Sequence, residues 1–295
     1  MLKFRKTFLL LIAFGLLLLS GLVLADETSS THFFRQVVYN HVSPHLPLRG
    51  IYEISAETAQ KSPHYIFKLN SRKQLVEVIN NHPITWKSHP LTHIGADKIV
   101  FNYNQSEEVR TFYNRENQPV ANIRGVYKEV YAYDANGFKC SLNFYDQNGQ
   151  PTESNWKIAR YIWEKQQGLV IERRYNLNGE LAKISPYFDF LITGIKYNDQ
   201  GLPMAHYNLN EVLEITENYW GVASYQDKYD QNGNHIEYAY YNKANQLTPS
   251  AAGFAIGRKT YDLYGNVIKE EYLDKNSQHL RAVTFQYNEN GLLNK

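Results

Sequence analysis

The chain has 295 residues, with 31 Lys or Arg, 29 Asp or Glu, 24 Tyr, 17 Gly and one Cys, and a formal net charge of +2. Three basic residues and no acidic ones fall in the first 25 positions, which leaves 28 basic against 29 acidic residues and no electrostatic reason to bind nucleic acid or anionic lipid. A single cysteine excludes an internal disulfide, and the remaining length suffices to bury a core without one.

Residues 1–25 read as a secretory signal peptide. Lys3, Arg5 and Lys6 precede an uncharged run of 17 residues, Phe8 to Leu24, and Val23-Leu24-Ala25 suits cleavage before Asp26. Ser20 and Gly21 loosen the segment where a peptidase needs it extended. The competing reading is an uncleaved anchor helix, since the run is near the short limit for a bilayer span. No cysteine stands at the cleavage position to carry a lipid. Cleavage leaves no membrane span and an exported product of the periplasm or the extracellular space.

Residues 26–94 form a less regular N-terminal region expected to pack on the repeats that begin at Gly95. Phe33, Phe34, Val37, Val38, His41 and Val42 recur at near-helical spacing after Ser30 and stop at Pro44, which predicts a short helix over 30–42. Ser71-Arg-Lys-Gln74 fits a capping box, but 65–78 reads better as strand, turn, strand. Seven of ten histidines lie between His32 and His93. His41-x3-His45 and His89-x3-His93 have zinc-ligand spacing, yet each contains a proline and lacks the adjoining glutamate of a metalloprotease, so no metal site is assigned.

Residues 95–295 form a tyrosine-rich repeat region. A glycine is followed eight residues later by tyrosine from Gly95 to Tyr103, Gly125 to Tyr133, Gly137 to Tyr145, Gly221 to Tyr229, Gly233 to Tyr241 and Gly253 to Tyr261. The block from Tyr229 to Asn242 recurs without a gap 32 residues later. Asp-x-Asn-Gly, at Asp134–Gly137, Asp146–Gly149 and Asp230–Gly233, suits a type I turn closed by a residue of positive φ. Intervening segments are rich in Tyr, Val, Ile, Phe and Thr. The fold class is therefore all-β: tandem antiparallel β-hairpins in a long curled meander sheet, with a short N-terminal helix. Period-2 alternation puts Tyr127, Glu129 and Tyr131 on the side of Tyr133, an aromatic face with charges mixed in. Cross-strand rows account for these tyrosines structurally; the other reading is a ligand platform. Cys140 alternates with Phe138, Leu142 and Phe144 and is placed on an apolar strand face.

The stretch from Gly253 through Tyr261-Asp-x-x-Gly265-Asn to Glu-Glu-Tyr-x-Asp274 resembles the tandem tyrosine–aspartate repeats of bacterial exported proteins, the YD or RHS-like class, and more loosely MORN-variant hairpin repeats. The resemblance runs from Gly95 onward and weakens between Trp156 and Asn218. It implies consecutive hairpins acting as a shell, scaffold or binding surface. The self-cleaving segment and C-terminal toxin of large RHS proteins have no counterpart here, so toxin delivery does not carry over.

No Gly-x-Ser-x-Gly elbow, phosphate-binding loop or Cys-x-x-Cys pair is present, and the chain is read as non-catalytic and without cofactor. Each Asp-x-Asn-Gly turn offers two oxygens where a calcium loop needs about six or seven. Candidate recognition residues are Trp156, Tyr161 and Trp163, where the repeat is most distorted, together with Trp220; Trp86 is a weaker one. Filling the core where the sheet bends is the favoured reading of them. The expected function is an exported binding or scaffold module for an envelope protein or glycan. The rivals are a periplasmic immunity factor against a toxin and a hydrolase with a carboxylate site. Oligomeric state is left open.

Overall fold

A computed structural model describes residues 28–40, 43–82, 94–184, 189–288 and 293; the expected signal peptide, His41, Trp86, His89 and His93 lie outside them. The described residues form 17 strands and one four-residue helix in the order β1 (Thr28–Val38), β2 (Arg49–Ile54), α1 (Ala56–Ala59), β3 (Tyr65–Asn70), β4 (Leu75–Asn80), β5 (Lys98–Tyr103) and β6 (Glu107–Tyr113). There follow β7 (Lys128–Tyr133), β8 (Lys139–Tyr145), β9 (Arg160–Gln166), β10 (Leu169–Tyr175), β11 (Ile192–Tyr197) and β12 (Pro203–Leu209). The last are β13 (Ser224–Tyr229), β14 (His235–Tyr241), β15 (Ile256–Tyr261), β16 (Val267–Leu273) and β17 (His279–Thr284). All pairings are antiparallel. β1 lies between β2 and β3, and from β3 each strand pairs with the next, giving one open meander sheet that ends at β17.

The helix expected over 30–42 is instead the strand β1, and the only helix among the described residues is the turn at Ala56–Ala59, capped by Ser55. The apolar pairs Phe33–Phe34 and Val37–Val38 fit either period. Partners on both sides decide for the strand, since β2 and β3 satisfy its backbone along most of its length. The strand–turn–strand reading of 65–78 is what the structure shows.

The repeat is a 32-residue unit with three tight turns. Positive φ recurs in its first slot at Lys73, Gly137, Gly201, Gly233 and Gly265. The second slot holds Asn117, Gly149, Leu213, Asn245 and Ser277, and the third Gly125, Lys157, Gly221 and Gly253. Each turn opens on an Asn, Asp or Ser; in most, its side-chain oxygen accepts the backbone N–H groups two and four residues on, as Asp134 Oδ1 does from Asn136 and Phe138 at 2.8 and 2.9 Å. That use of the carboxylate leaves it to the hairpin rather than to a cation. The β9–β10 hairpin departs from the unit: it turns in two residues, Gln167 and Gly168, both of positive φ.

Most first-slot hairpins carry a bulge just inside the turn. In β7–β8, Tyr133 pairs with Lys139 but Ala132 pairs with Ser141, so Cys140 is the extra residue. The same slip follows Lys228, Thr260 and Lys196. The bulge inverts the side-chain alternation, so Lys139 turns inward and is 8% exposed, while Cys140 is half-buried with Sγ 3.4 Å from the Ala132 carbonyl.

One face of the sheet carries the core. Phe67, Val78, Ile99, Phe101 and Phe112 pack at the N-terminal end, and Tyr131, Leu142, Phe144, Tyr161, Trp163 and Ile195 in the middle. Residues 39–40 and 43–48 lie over this face, with Tyr39, Leu46 and Leu48 buried. The sheet curls far enough to bring β1 and β2 onto later turns. Gln36 Nε2 donates to Asn266 Oδ1 at 3.0 Å, Arg49 reaches the Gly233 carbonyl at 3.4 Å, and Asn234 Nδ2 donates to the Tyr52 hydroxyl at 2.6 Å. The other face carries cross-strand ion pairs, such as Glu237 between Lys228 and Arg258 at 2.6 Å each.

Candidate functional site

The tyrosines of the sequence pattern belong to two structural classes. Those ending the strand before a first-slot turn lean toward the core face: Tyr133 donates to Glu108 Oε2 at 2.9 Å, Tyr197 contacts His45 Nδ1 at 2.9 Å, and Tyr261 donates to the His235 carbonyl at 3.1 Å. Burial raises the hydroxyl pKa of Tyr103, Tyr133, Tyr197, Tyr229 and Tyr261. Of those ending the following strand, three are covered by cations, Tyr113 by Lys98 at 5.2 Å, Tyr145 by Lys128 at 4.4 Å and Tyr175 by Arg160 at 5.0 Å, whereas Tyr241 packs against the Ala239–Leu273 cluster. Both classes are half-buried and engaged in holding the sheet.

Under residues 39–40 and 43–48, which cross this face, lies a buried ionic cluster. Glu129, fully buried, accepts from Arg124 Nη1 at 2.5 Å, Asn122 Nδ2 at 2.8 Å and the Tyr39 hydroxyl at 2.9 Å through Oε1, and from the Tyr131 hydroxyl at 3.1 Å through Oε2. Burial alone would raise its pKa, but the Arg124 and Arg110 guanidiniums outweigh it and hold the carboxyl below its usual range. Arg110 pairs with Glu108 at 2.6 Å and stacks 4.3 Å over Tyr131. Arg124 also donates to the Asn40 carbonyl at 3.0 Å, which ties the crossing segment to the sheet.

Further along the same face, Glu172 accepts from Trp163 Nε1 and Arg174 Nη1, both at 2.8 Å, and burial raises its pKa despite Arg174. Asp227 lies 2.5 Å from His235 Nε2 and 3.3 Å from His206 Nδ1. Among the described residues no group of three or more His, Cys, Asp or Glu is placed to hold a metal ion. No helix among them is long and apolar enough to cross a membrane.

The four candidate recognition residues are dispersed. Tyr161 and Trp163 are 0% and 2% exposed, stacked on each other with centroids 5.6 Å apart, inside the core. Trp156 is half-buried against that core. Trp220 alone projects from the surface, 50% exposed and edge-on to Tyr219, which is 89% exposed, with centroids 5.1 Å apart. Both sit at the tip of the third-slot turn between β12 and β13, where Asn218 Oδ1 accepts from the Trp220 and Val222 N–H groups at 3.0 and 2.9 Å. Val212 and Ile215, in the preceding turn of the same connection, are 74% and 39% exposed. The equivalent turn tips carry Ile123-Arg124, Asn155-Trp156 and Ala251-Ala252, so the exposed aromatic pair is a local departure from the repeat.

No family model and no curated protein matches this chain. Solved structures similar to it include TcdB2-TccC3-TEV and TcdB2-TccC3-Cdc42, each 10% identical over 78% of this chain, with TM-scores of 0.20 and 0.18. The chain spans 15% and 16% of the length of those chains.

Proposed function

We propose that this chain is an exported, non-catalytic binding module of the RHS-like repeat class, which presents the connection between β12 and β13 to an envelope protein or glycan. The observation that carries the reading is the Tyr219–Trp220 pair. Two large rings stand exposed on a turn whose backbone is fixed by Asn218, so little backbone freedom remains to be lost on binding. Trp and Tyr are the residues most enriched among those dominating binding energy, and an aromatic face also stacks on sugar rings. Val212 and Ile215 are exposed in the same connection, which also carries Glu211, Glu214 and Glu217, and no Lys or Arg occurs between Lys196 and Lys228. Export rests on the first 25 residues.

The test is capture from envelope extracts and on glycan and peptidoglycan panels, using the chain from Asp26 onward and its Tyr219→Ala/Trp220→Ala variant. A protein or glycan held by the wild type and released by the variant is the expected result. Retention of nothing, or equal retention by both, overturns the reading.

A further inference from the structure

A cleft of about 680 Å³ opens at the first-slot turn rim between β5, β6, β7 and β8, against Leu48 of the crossing segment. Lys139, Glu108, Arg110, Tyr103 and Tyr133 line its polar side, and Phe101 and Leu75 its apolar side. Its size is that of a small-molecule site.

The charges around it do not balance. Three buried cations, Arg110, Arg124 and Lys139, share two buried carboxylates, Glu108 and Glu129. Arg110 takes Glu108 at 2.6 Å and Arg124 takes Glu129 at 2.5 Å. Lys139 is left with the His45 carbonyl at 3.3 Å and the face of Tyr131 at 4.5 Å, and no described carboxylate lies within ion-pair distance of it. The other groups around it do not supply the charge. Tyr133 is committed to Glu108, and burial pushes the His45 imidazole down to about 3, so it stays neutral. Glu107 and Asp134 stand at the cleft's outer rim with Lys73. A buried ammonium without a counter-ion is costly, and two events relieve it: loss of its proton or arrival of an anion.

We propose that this cleft binds a small organic anion, a carboxylate on an apolar body, with the carboxylate against Lys139 Nζ and the body along Phe101, Leu75 and Leu48. The site is separate from the Tyr219–Trp220 surface. One excess positive charge calls for a monovalent group, and the apolar wall favours a body larger than a simple inorganic ion. Burial, with Arg110 adding to it, pulls the Lys139 amine down to about 7, so anion binding near neutral pH also draws a proton onto the amine.

The probes are benzoate and its neutral counterpart benzamide, titrated calorimetrically into the chain from Asp26 onward in buffers of different ionisation enthalpy. Saturable benzoate binding in the millimolar range, benzamide at least about tenfold weaker, and net proton uptake at pH near 7.5 are expected. Lys139→Met loses benzoate binding and Lys139→Arg keeps it. The proposal is overturned by equal affinity for the two probes, by binding that survives Lys139→Met, or by no saturation at tens of millimolar benzoate. If Lys139→Met does not fold, the probe contrast and the proton count on the wild type decide alone.

Discussion

Replacing Glu129 by glutamine removes one charge from the cluster beneath the crossing segment and changes little else in shape. Its Oε1 holds three donors, Arg124, Asn122 and Tyr39, and Arg110 lies 3.9 Å from Oε2. With Glu129 neutral, Arg124 loses its carboxylate partner while remaining buried. Breaking a buried pair in this way costs about 3 to 5 kcal/mol, because the surviving charge keeps its desolvation penalty. For a chain of this size that is a fall in Tm of about 10 °C. The assay is thermal and urea unfolding of wild type and variant, with hydrogen exchange to locate the change. Exchange should accelerate first around Tyr39 and Asn40, which Arg124 and Glu129 tie down. The sign with pH follows from the depressed carboxyl: its stabilisation is present above the ordinary carboxylate range and is lost as pH falls through the folded value. Glu129→Gln therefore also flattens the acid limb of the stability profile. A loss below about 1 kcal/mol, the size of a single ordinary hydrogen bond, would refute the reasoning.

Lys157 occupies at φ 60° the slot that is glycine at 125, 221 and 253, and its side chain is 83% exposed. Lys157→Gly should stabilise by about 0.5 to 1 kcal/mol, and Gly253→Ala, where an added Cβ meets nothing within 4 Å, should destabilise by about 1 kcal/mol from backbone strain alone, both read from urea midpoints. Lys139, held at about 7 when folded, binds fewer protons than in the unfolded chain between there and the ordinary lysine value. Stability should therefore rise from pH 7 toward pH 9, by at most about 1.4 kcal/mol per unit, and Lys139→Met should abolish that slope. Acrylamide quenching should fall when Trp220 is replaced by Phe and rise when Trp163 is, since the half-exposed ring is quenched whereas the enclosed one contributes shielded emission.

Turns were legible because their chemistry is local. Asp134, Asn136 and Gly137 specify a bulged hairpin, and Asp230, Asn232 and Gly233 do so again, whereas the same pattern at Asp146–Gly149 closes only the Tyr145–Pro151 bridge. β1 was not, because the spacing of Phe33, Phe34, Val37 and Val38 suits helix and strand alike and only the partners on either side choose. The face of Lys139 was hidden for a related reason: the bulge at Cys140 breaks the period-2 rule just where it was applied. The eight-residue glycine–tyrosine spacing merged two kinds of tyrosine, inward and mostly cation-capped, that only the 32-residue unit separates. The buried ion clusters draw on residues as far apart as Tyr39 and Glu129, which no local pattern joins. A signal for them did exist: Glu-x-Arg at 108–110 recurs at 172–174, two repeat units on. Among the described candidate tryptophans, Trp163 followed the core reading and Trp220 alone reached the surface.

On the proposed reading, the turn residues and the regularly spaced tyrosines build the sheet, and Tyr219 and Trp220 bind the partner. The most direct measurement is the equilibrium Kd of the captured partner for three folded proteins: wild type, Trp220→Ala and Lys157→Gly. The account predicts a loss of about tenfold or more for Trp220→Ala, as expected of an aromatic anchor, with wild-type affinity for Lys157→Gly. Wild-type affinity in Trp220→Ala would contradict it.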